Sequence, residues 1–529
     1  MGEEKVTSYL KIDDFYGLNL RDIDTSIDIR ESSGLQNVNI SNRSLEQRAG
    51  SIILSDQFLD KTDTTAKVIT GFYQTTLGGT VYQVGIGGDA IKSYASGSWT
   101  DITDACVITD DQDNKWVFST FFDTSANPII IASNGVDAPI KWTGTGNAAP
   151  LASLPNSQNF FYQVVHKNKL WVSVDDIVYF SNFRDGETWD DGIDLIRYDH
   201  NGEDITGLHV YRDYVVVFQK TQISVISGSS VRDLYSQTIV TNDGTPSGFT
   251  IREVESRRYG NILVFLSTKD GTIKGFNGSP NLINLGYLAE PLFDTMNRGK
   301  FPQAVSGNYK KLGQYWLALT YGGGTENDQI IIYDYKRDYL TNQKTGLPIS
   351  SLLYHVGIKA NYIDSWTVDD EEIFVTANYN GYLLQQDVGL LDEEAESITA
   401  SWKSKKIDFG SATRVKLLSD LAIVSTQSSD TTMSLNVITQ GQNGSASLAI
   451  EGDGYYWGEL IWGTGLWSTI NQVYTRAEIT RTPSTEEGSM YGRYFGFQII
   501  HSTSSENLQI DELVIGVTDL GDQQEYLES

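Results

Sequence analysis

The residues best suited to metal binding or proton transfer are five histidines: His166, His200, His209, His355 and His501. No two of them share the spacing of an HExxH helix, so a zinc hydrolase is not expected. No GxSxG turn, P-loop or strand-following GxGxxG occurs, and the glycine-rich run from Gly85 to Gly88 lies between strand-forming segments, where a hairpin turn accounts for it. Cys106 is the single cysteine, which excludes an internal disulfide and a zinc–cysteine cluster and suits a chain made in a reducing compartment. Two acidic groups, Asp110/Asp111/Asp113 and Asp190/Asp191/Asp194, could bind calcium through oxygen ligands. Neither has the spacing and closing glutamate of a helical calcium loop, and in so acidic a chain such groups are expected as exposed turns. No catalytic residue, cofactor site or metal site is therefore expected, and the chain does not read as an enzyme.

The 529 residues exceed the size at which a single core stops growing, so at least two domains are expected. A hydrophobic share of 40% and an aromatic share of 11% exclude a disordered chain. No run approaches the length of apolar residues that spans a membrane as a helix. Met1 to Val6 lacks the basic and apolar regions of a signal peptide, and Val6 stands where myristoylation needs serine or threonine, so neither leader nor lipid anchor is expected. With 39 basic residues against 68 acidic, the formal charge is −29, which argues against ordinary binding of nucleic-acid phosphates.

The elements that must carry these residues read as strands. Short β-branched and aromatic runs alternate with glycine, asparagine and aspartate turns, and helical periodicity is almost absent. Paired runs occur at 81–85 with 91–94, 129–132 with 140–142, 170–174 with 177–180 and 215–218 with 223–226. Three more occur at 262–266 with 273–276, 315–319 with 330–333, and, more weakly, 373–376 with 382–384. About seven hairpins roughly 40 to 55 residues apart match the size of a four-stranded propeller blade, and six to eight blades fit the spacing. The expected architecture is all-β: an N-terminal arm over 1–55 that packs as strands on the propeller or on a neighbour, a β-propeller over 56–391, and a β-sandwich or jelly-roll over 392–529. Asp392 to Glu396 reads as a solvated acidic linker. The segment Tyr455 to Trp467, rich in tryptophan, tyrosine and glycine, is expected as a sandwich corner rather than a carbohydrate platform.

Ser181 to Trp189 resembles, with one spacing defect, the Asp-box of sialidases and related propellers, in which an aspartate ties a turn and an aromatic tucks inward. That resemblance implies fold rather than catalysis. A glycan-cleaving propeller would also need an arginine cluster, a tyrosine nucleophile and a carboxylate, and Arg252, Arg257 and Arg258 do not announce such a set.

A broader resemblance begins at the N-terminus. Phe15 to Asp22, then Gly34 to Val38, then Arg48-Ala49-Gly50 resemble the opening of the tail nozzle or head-to-tail stopper proteins of short-tailed bacteriophages. Ile177 to Ser181 with Trp189, Gly207 to Gly228, Gly244 to Phe293 and Tyr309 to Tyr335 resemble that family's successive blades, so the likeness runs from Phe15 to about Gly389. The resemblance implies a non-catalytic virion protein, made in the host bacterial cytoplasm and placed in the tail. It implies a hexameric ring below the portal and adaptor, in contact with tail fibres or appendages, through which double-stranded DNA is retained and released. Six copies would carry roughly −170 formal charges, a sign that repels DNA phosphates from a lumen. Leu18, Asn19, Leu20 and Arg21 are the expected inter-subunit or inter-domain contacts, with fastening of the first blade as their alternative role. The competing function is a glycan-binding or glycan-cleaving propeller, or a receptor-binding tail protein.

Overall fold

Runs such as Gln314–Leu319 and Gln329–Asp334 are buried at every position. Strands covered on both faces need apolar residues throughout rather than in alternation. In the computed structural model, which describes residues 7–228, 232–342, 346–393, 395–426, 430–440, 443–450, 473–477, 480–482, 490–503 and 506–521, such strands lie at the middle of small antiparallel sheets. The chain is all-β apart from a four-residue helix at Glu290–Phe293 and short 3-10 turns among the described residues.

Among the described residues, seven sheets are four-stranded. The first runs Ile69–Leu77, Thr80–Gly87, Ala90–Ala95, Ser98–Asp101, and the second begins at Val117–Phe122. The third begins at Gln163–His166, the fourth at Ile205–Tyr211 and the fifth at Arg252–Ser256. The sixth begins at Val305–Tyr309 and the seventh at Tyr362–Val368. All seven hairpins read from the sequence form the second and third strands of these sheets.

The arrangement is propeller-like. Sheets stack face to face through apolar clusters: Ile86, Ile91, Ile130 and Trp142 between the first and second, and Val216, Phe218, Leu263 and Phe265 between the fourth and fifth. Polar side chains bridge the seams near the first strands. Gln163 Nε2 donates to Val117 O at 2.7 Å, Arg252 to Ser306 O at 2.7 Å, and Asn361 Nδ2 to Ile69 O at 2.9 Å. The last of these returns the seventh sheet to the first.

The fourth strand of the seventh sheet comes from the other end of the chain. Ser51–Ile53 pairs antiparallel with Leu383–Gln386, with Ile53 opposite Leu384. The rest of the arm enters the C-terminal sheets. Ser32–Gln36 edges a six-stranded sheet beside Ala400–Ser404, and Thr7–Ile12 edges a five-stranded sheet beside Glu512–Gly521. Val38–Ser41 and Ser44–Gln47 form a hairpin extended by Gln509–Ile510. Thr431–Ile438 and Asn443–Ile450 alternate buried with exposed positions, so one face of the six-stranded sheet is solvated. Its inner residues Leu435, Leu448 and Phe497 share a core with Ile423, Leu513 and Ile515 of the five-stranded sheet.

The acidic run at 392–396 ends exposed, at Ala395 and Glu396, but begins at a residue that is not solvated. Asp392 is largely buried because Arg48 of the arm reaches it, donating to Oδ1 at 2.8 Å and contacting Oδ2 as well. The aromatic-glycine segment 455–467 lies outside the described residues.

Two arm glycines separate close approach from open space. A Cβ on Gly50 would stand 1.9 Å from Leu391 O, whereas one on Gly34 would meet only Lys403 Cβ at 3.4 Å. Gly50→Ala therefore forces a backbone shift and is expected to cost about 3 kcal/mol. Gly34→Ala is expected to cost less than about 1 kcal/mol. Urea unfolding followed by tryptophan fluorescence checks the difference.

Candidate functional site

The segment Leu18 to Arg21 lies where the arm crosses the fifth and sixth sheets. Leu18 N–H donates to Leu352 O at 2.8 Å, and Leu20 N–H donates to Leu288 O at 2.8 Å. Leu18 and Asn19 are buried. Asn19 Nδ2 donates to Glu31 Oε2 at 3.0 Å and to Asp22 Oδ2 at 3.1 Å. Glu31 in turn accepts from Ser350 N–H at 2.8 Å and Asp28 N–H at 3.0 Å, while burial raises its carboxyl above the usual range. Leu18 and Asn19 are thus engaged within the chain, joining the arm to the sixth sheet. Arg21 keeps half its side chain exposed, over the Tyr287 ring at 5.5 Å and 4.0 Å from Glu290.

Further along the arm, the hairpin 38–47 stands against the turns of the sixth sheet. Arg337 donates to Phe15 O at 2.8 Å and Ile40 O at 3.0 Å, and its guanidinium lies 4.9 Å from the Tyr16 ring. Between hairpin and sheet opens a cleft of about 720 Å³. Five cationic residues line it: Arg43, Arg257, Lys311, Lys336 and Arg337. It also holds three carboxyls, Glu46, Asp334 and Asp387, each raised above its usual range chiefly by burial. Asp334, which accepts from Lys336 N–H and Arg337 N–H at 3.1 Å each, is pushed up to about 7 because burial outweighs the pull of Arg337. No local motif announces this cleft, since its residues come from six separated stretches of sequence.

The other chemically capable residues are dispersed. His355 is fully buried against Trp316, with ring centroids 5.5 Å apart, and burial together with Arg48 holds it well below the ordinary imidazole range. His501 Nε2 shares a hydrogen bond with Thr431 Oγ1 at 3.0 Å, and His209 Nδ1 lies 2.7 Å from Val210 O. His166 is buried at the end of the third sheet's first strand, and His200 is exposed beside Asp199. Burial pushes the Cys106 thiol up to about 11, which disfavours its reactive thiolate. Asp110 pairs with Lys67, and Asp113 lies 3.3 Å from Lys300. Among the described residues no three histidine, cysteine or carboxylate side chains are grouped to hold a metal ion.

Arg252 spans the seam to Ser306, Arg257 stacks on Tyr339 at 4.7 Å, and Arg258 lies 5.7 Å from the Tyr259 ring, so the three do not converge on one point. The Asp-box-like segment connects the third and fourth strands of the third sheet. Asp185 Oδ1 accepts from Glu187 N–H at 2.9 Å, and Trp189 packs beside Phe160 with ring centroids 6.3 Å apart. Glu187 is buried, where Lys141 of the second sheet reaches it at 2.7 Å and Ala152 N–H at 2.8 Å. The segment binds two sheets together.

No family model matches the chain, and no curated protein matches it. Among solved structures, the computationally designed Ika8 protein is similar over 69% of this chain and 99% of its own length, at 14% identity and a TM-score of 0.36.

The Asp334 carboxyl gives the cleft a pH signature. Its folded value near 7 lies above the ordinary 3.8, so the folded state holds the proton more tightly and stability falls as pH rises from about 4 through 7. The loss attributable to this group reaches at most about 4 kcal/mol above pH 7. Asp334→Asn, which cannot ionise and keeps an acceptor oxygen, is expected to flatten that decline. Urea midpoints of both proteins between pH 4.5 and 8 check it.

Proposed function

We propose that this chain is a structural component of a tailed-phage virion, the nozzle or stopper ring below the portal and adaptor. It extends the DNA channel, retains the packaged genome and lets it pass at infection. On this reading the chain is a seven-bladed β-propeller over 56–391, followed by a β-sandwich over 392–529. Residues 1–55 are the arm that ties the two together. The protein is made in the bacterial cytoplasm, assembles as a homohexamer in the tail, meets portal, adaptor and fibre proteins, and carries out no bond-making step.

The observation that carries this reading is how the opening segment is used. The stretches that resemble the phage family, Phe15 to Asp22, Gly34 to Val38 and Arg48 to Gly50, are those that lace the arm into the sixth sheet, the six-stranded sheet and the Asp392 turn. Such lacing suits a part that must resist the outward pressure of packaged DNA. The charge of −29 supports the same reading, because a like-charged wall lets DNA slide without adhering. A second reading, a glycan-binding tail protein, draws its support from the Asp-box-like turn at Ser181 to Trp189.

Electron microscopy of the intact particle tests the proposal. The expected result is a six-fold ring of this chain on the tail axis with DNA density through its hole. A monomer at the particle periphery, together with saturable binding on a glycan array, would overturn it in favour of the second reading.

A further inference from the structure

The cleft between the arm hairpin and the sixth sheet has a composition at odds with the rest of the chain. Although acidic residues outnumber basic ones 68 to 39, five basic side chains face this one space. None of the five forms an ion pair among the described residues. The Lys336 side chain is bound only to carbonyl oxygens, Arg337 to two carbonyl oxygens and the face of Tyr16, Arg257 only to the face of Tyr339, and among the described residues no side-chain partner is seen for Arg43 or Lys311. Several buried or half-buried cations elsewhere are matched, Lys141 with Glu187, Lys274 with Asp243 and Arg48 with Asp392, while no other single space in the described residues is lined by five cations without an ion pair among the pockets described. The cleft's own carboxyls do not supply the missing charge in full, because burial disfavours ionisation of all three.

Arg43 adds an independent observation. It follows Asn42 at the tip of the hairpin, and both residues have positive φ, 45° and 77°. A two-residue turn of this kind is built most cheaply by Asn-Gly, and an arginine in the left-handed region costs on the order of 1 kcal/mol relative to glycine. The exposed side chain gains no described contact that offsets that cost.

We propose that this cleft is a binding site for a small multivalent phosphate-bearing anion. The guanidinium forks of Arg43 and Arg257 suit bidentate contact with phosphate oxygens, and Lys311 and Lys336 add point charges along the same wall. A volume of about 720 Å³ admits a chain of several phosphates or a sugar phosphate rather than a single ion. The site is independent of the proposed place of the chain in a virion, because its argument uses only the cleft.

Isothermal titration of the full chain with inorganic tripolyphosphate at low ionic strength tests the site. The expected result is saturable one-to-one binding, weakened by about tenfold or more in Arg43→Asn and in Arg257→Gln. Asparagine tolerates the positive φ at 43, and both side chains are exposed, so the variants are expected to keep the fold, which circular dichroism checks. Lys220→Gln, an exposed cation on the fourth sheet, is the control and is expected to leave affinity unchanged. Absence of saturable heat, or an equal loss in Lys220→Gln, would overturn the proposal, the latter by showing only diffuse charge attraction.

Discussion

A ring of sheets stands or falls on how its last member is closed. Here the closure is one short antiparallel pairing, Ser51–Ile53 against Leu383–Gln386, made between segments more than three hundred residues apart. Without it the seventh sheet would present an unpaired edge, which invites pairing with other chains. The entropic cost of so long a loop grows only with the logarithm of its length, so a modest set of contacts can offset it. Arg48 with Asp392, and the tight packing of Gly50 on Leu391, supply that set beside the pairing itself. Because the same arm edges both large C-terminal sheets, closing the ring and ordering the C-terminal sheets are one event.

One buried charge pair, Arg48 with Asp392, serves this closure. Several of the few cations are invested in the interior: Arg48, Lys92, Lys115, Lys274 and Lys416 are all buried. Arg48, Lys92 and Lys274 are paired with Asp392, Asp63 and Asp243; such pairs add little net stability, but breaking one leaves an uncompensated charge, so they penalise wrong pairings strongly. Drawing cations inward leaves the outer surface still more acidic. That would suit the proposed DNA channel, and the cleft beside the arm hairpin gathers five of the remaining cations.

The legible part of the fold was what local pattern encodes. Second and third strands such as Ile262 to Leu266 and Ile273 to Phe276 are continuous apolar runs closed by tight turns, and each was readable alone. First strands such as Arg252–Ser256 carry arginine, glutamate and serine and are only partly buried, so no periodic signal marked them. The fourth strands, some only two residues long, were equally silent. The arm could be read as strands, yet nothing local in Thr7–Ile12 names Glu512–Gly521 as its partner. At the candidate site, Leu18 to Arg21 were visible as contact-forming residues, while Leu288, Ser350 and Leu352 were not. Asp334, Arg337 and the cleft they border exist only once distant turns meet.

Native-state hydrogen exchange under increasing urea tests most directly whether arm, ring and C-terminal sheets form one cooperative unit. Amides in the closing pair, such as Leu384, in the six-stranded sheet, such as Trp402, and in the five-stranded sheet, such as Ile515, are predicted to open together at a single free energy. Early opening of the C-terminal amides, with the closing pair still protected, would contradict the account by showing that the arm joins two independent bodies.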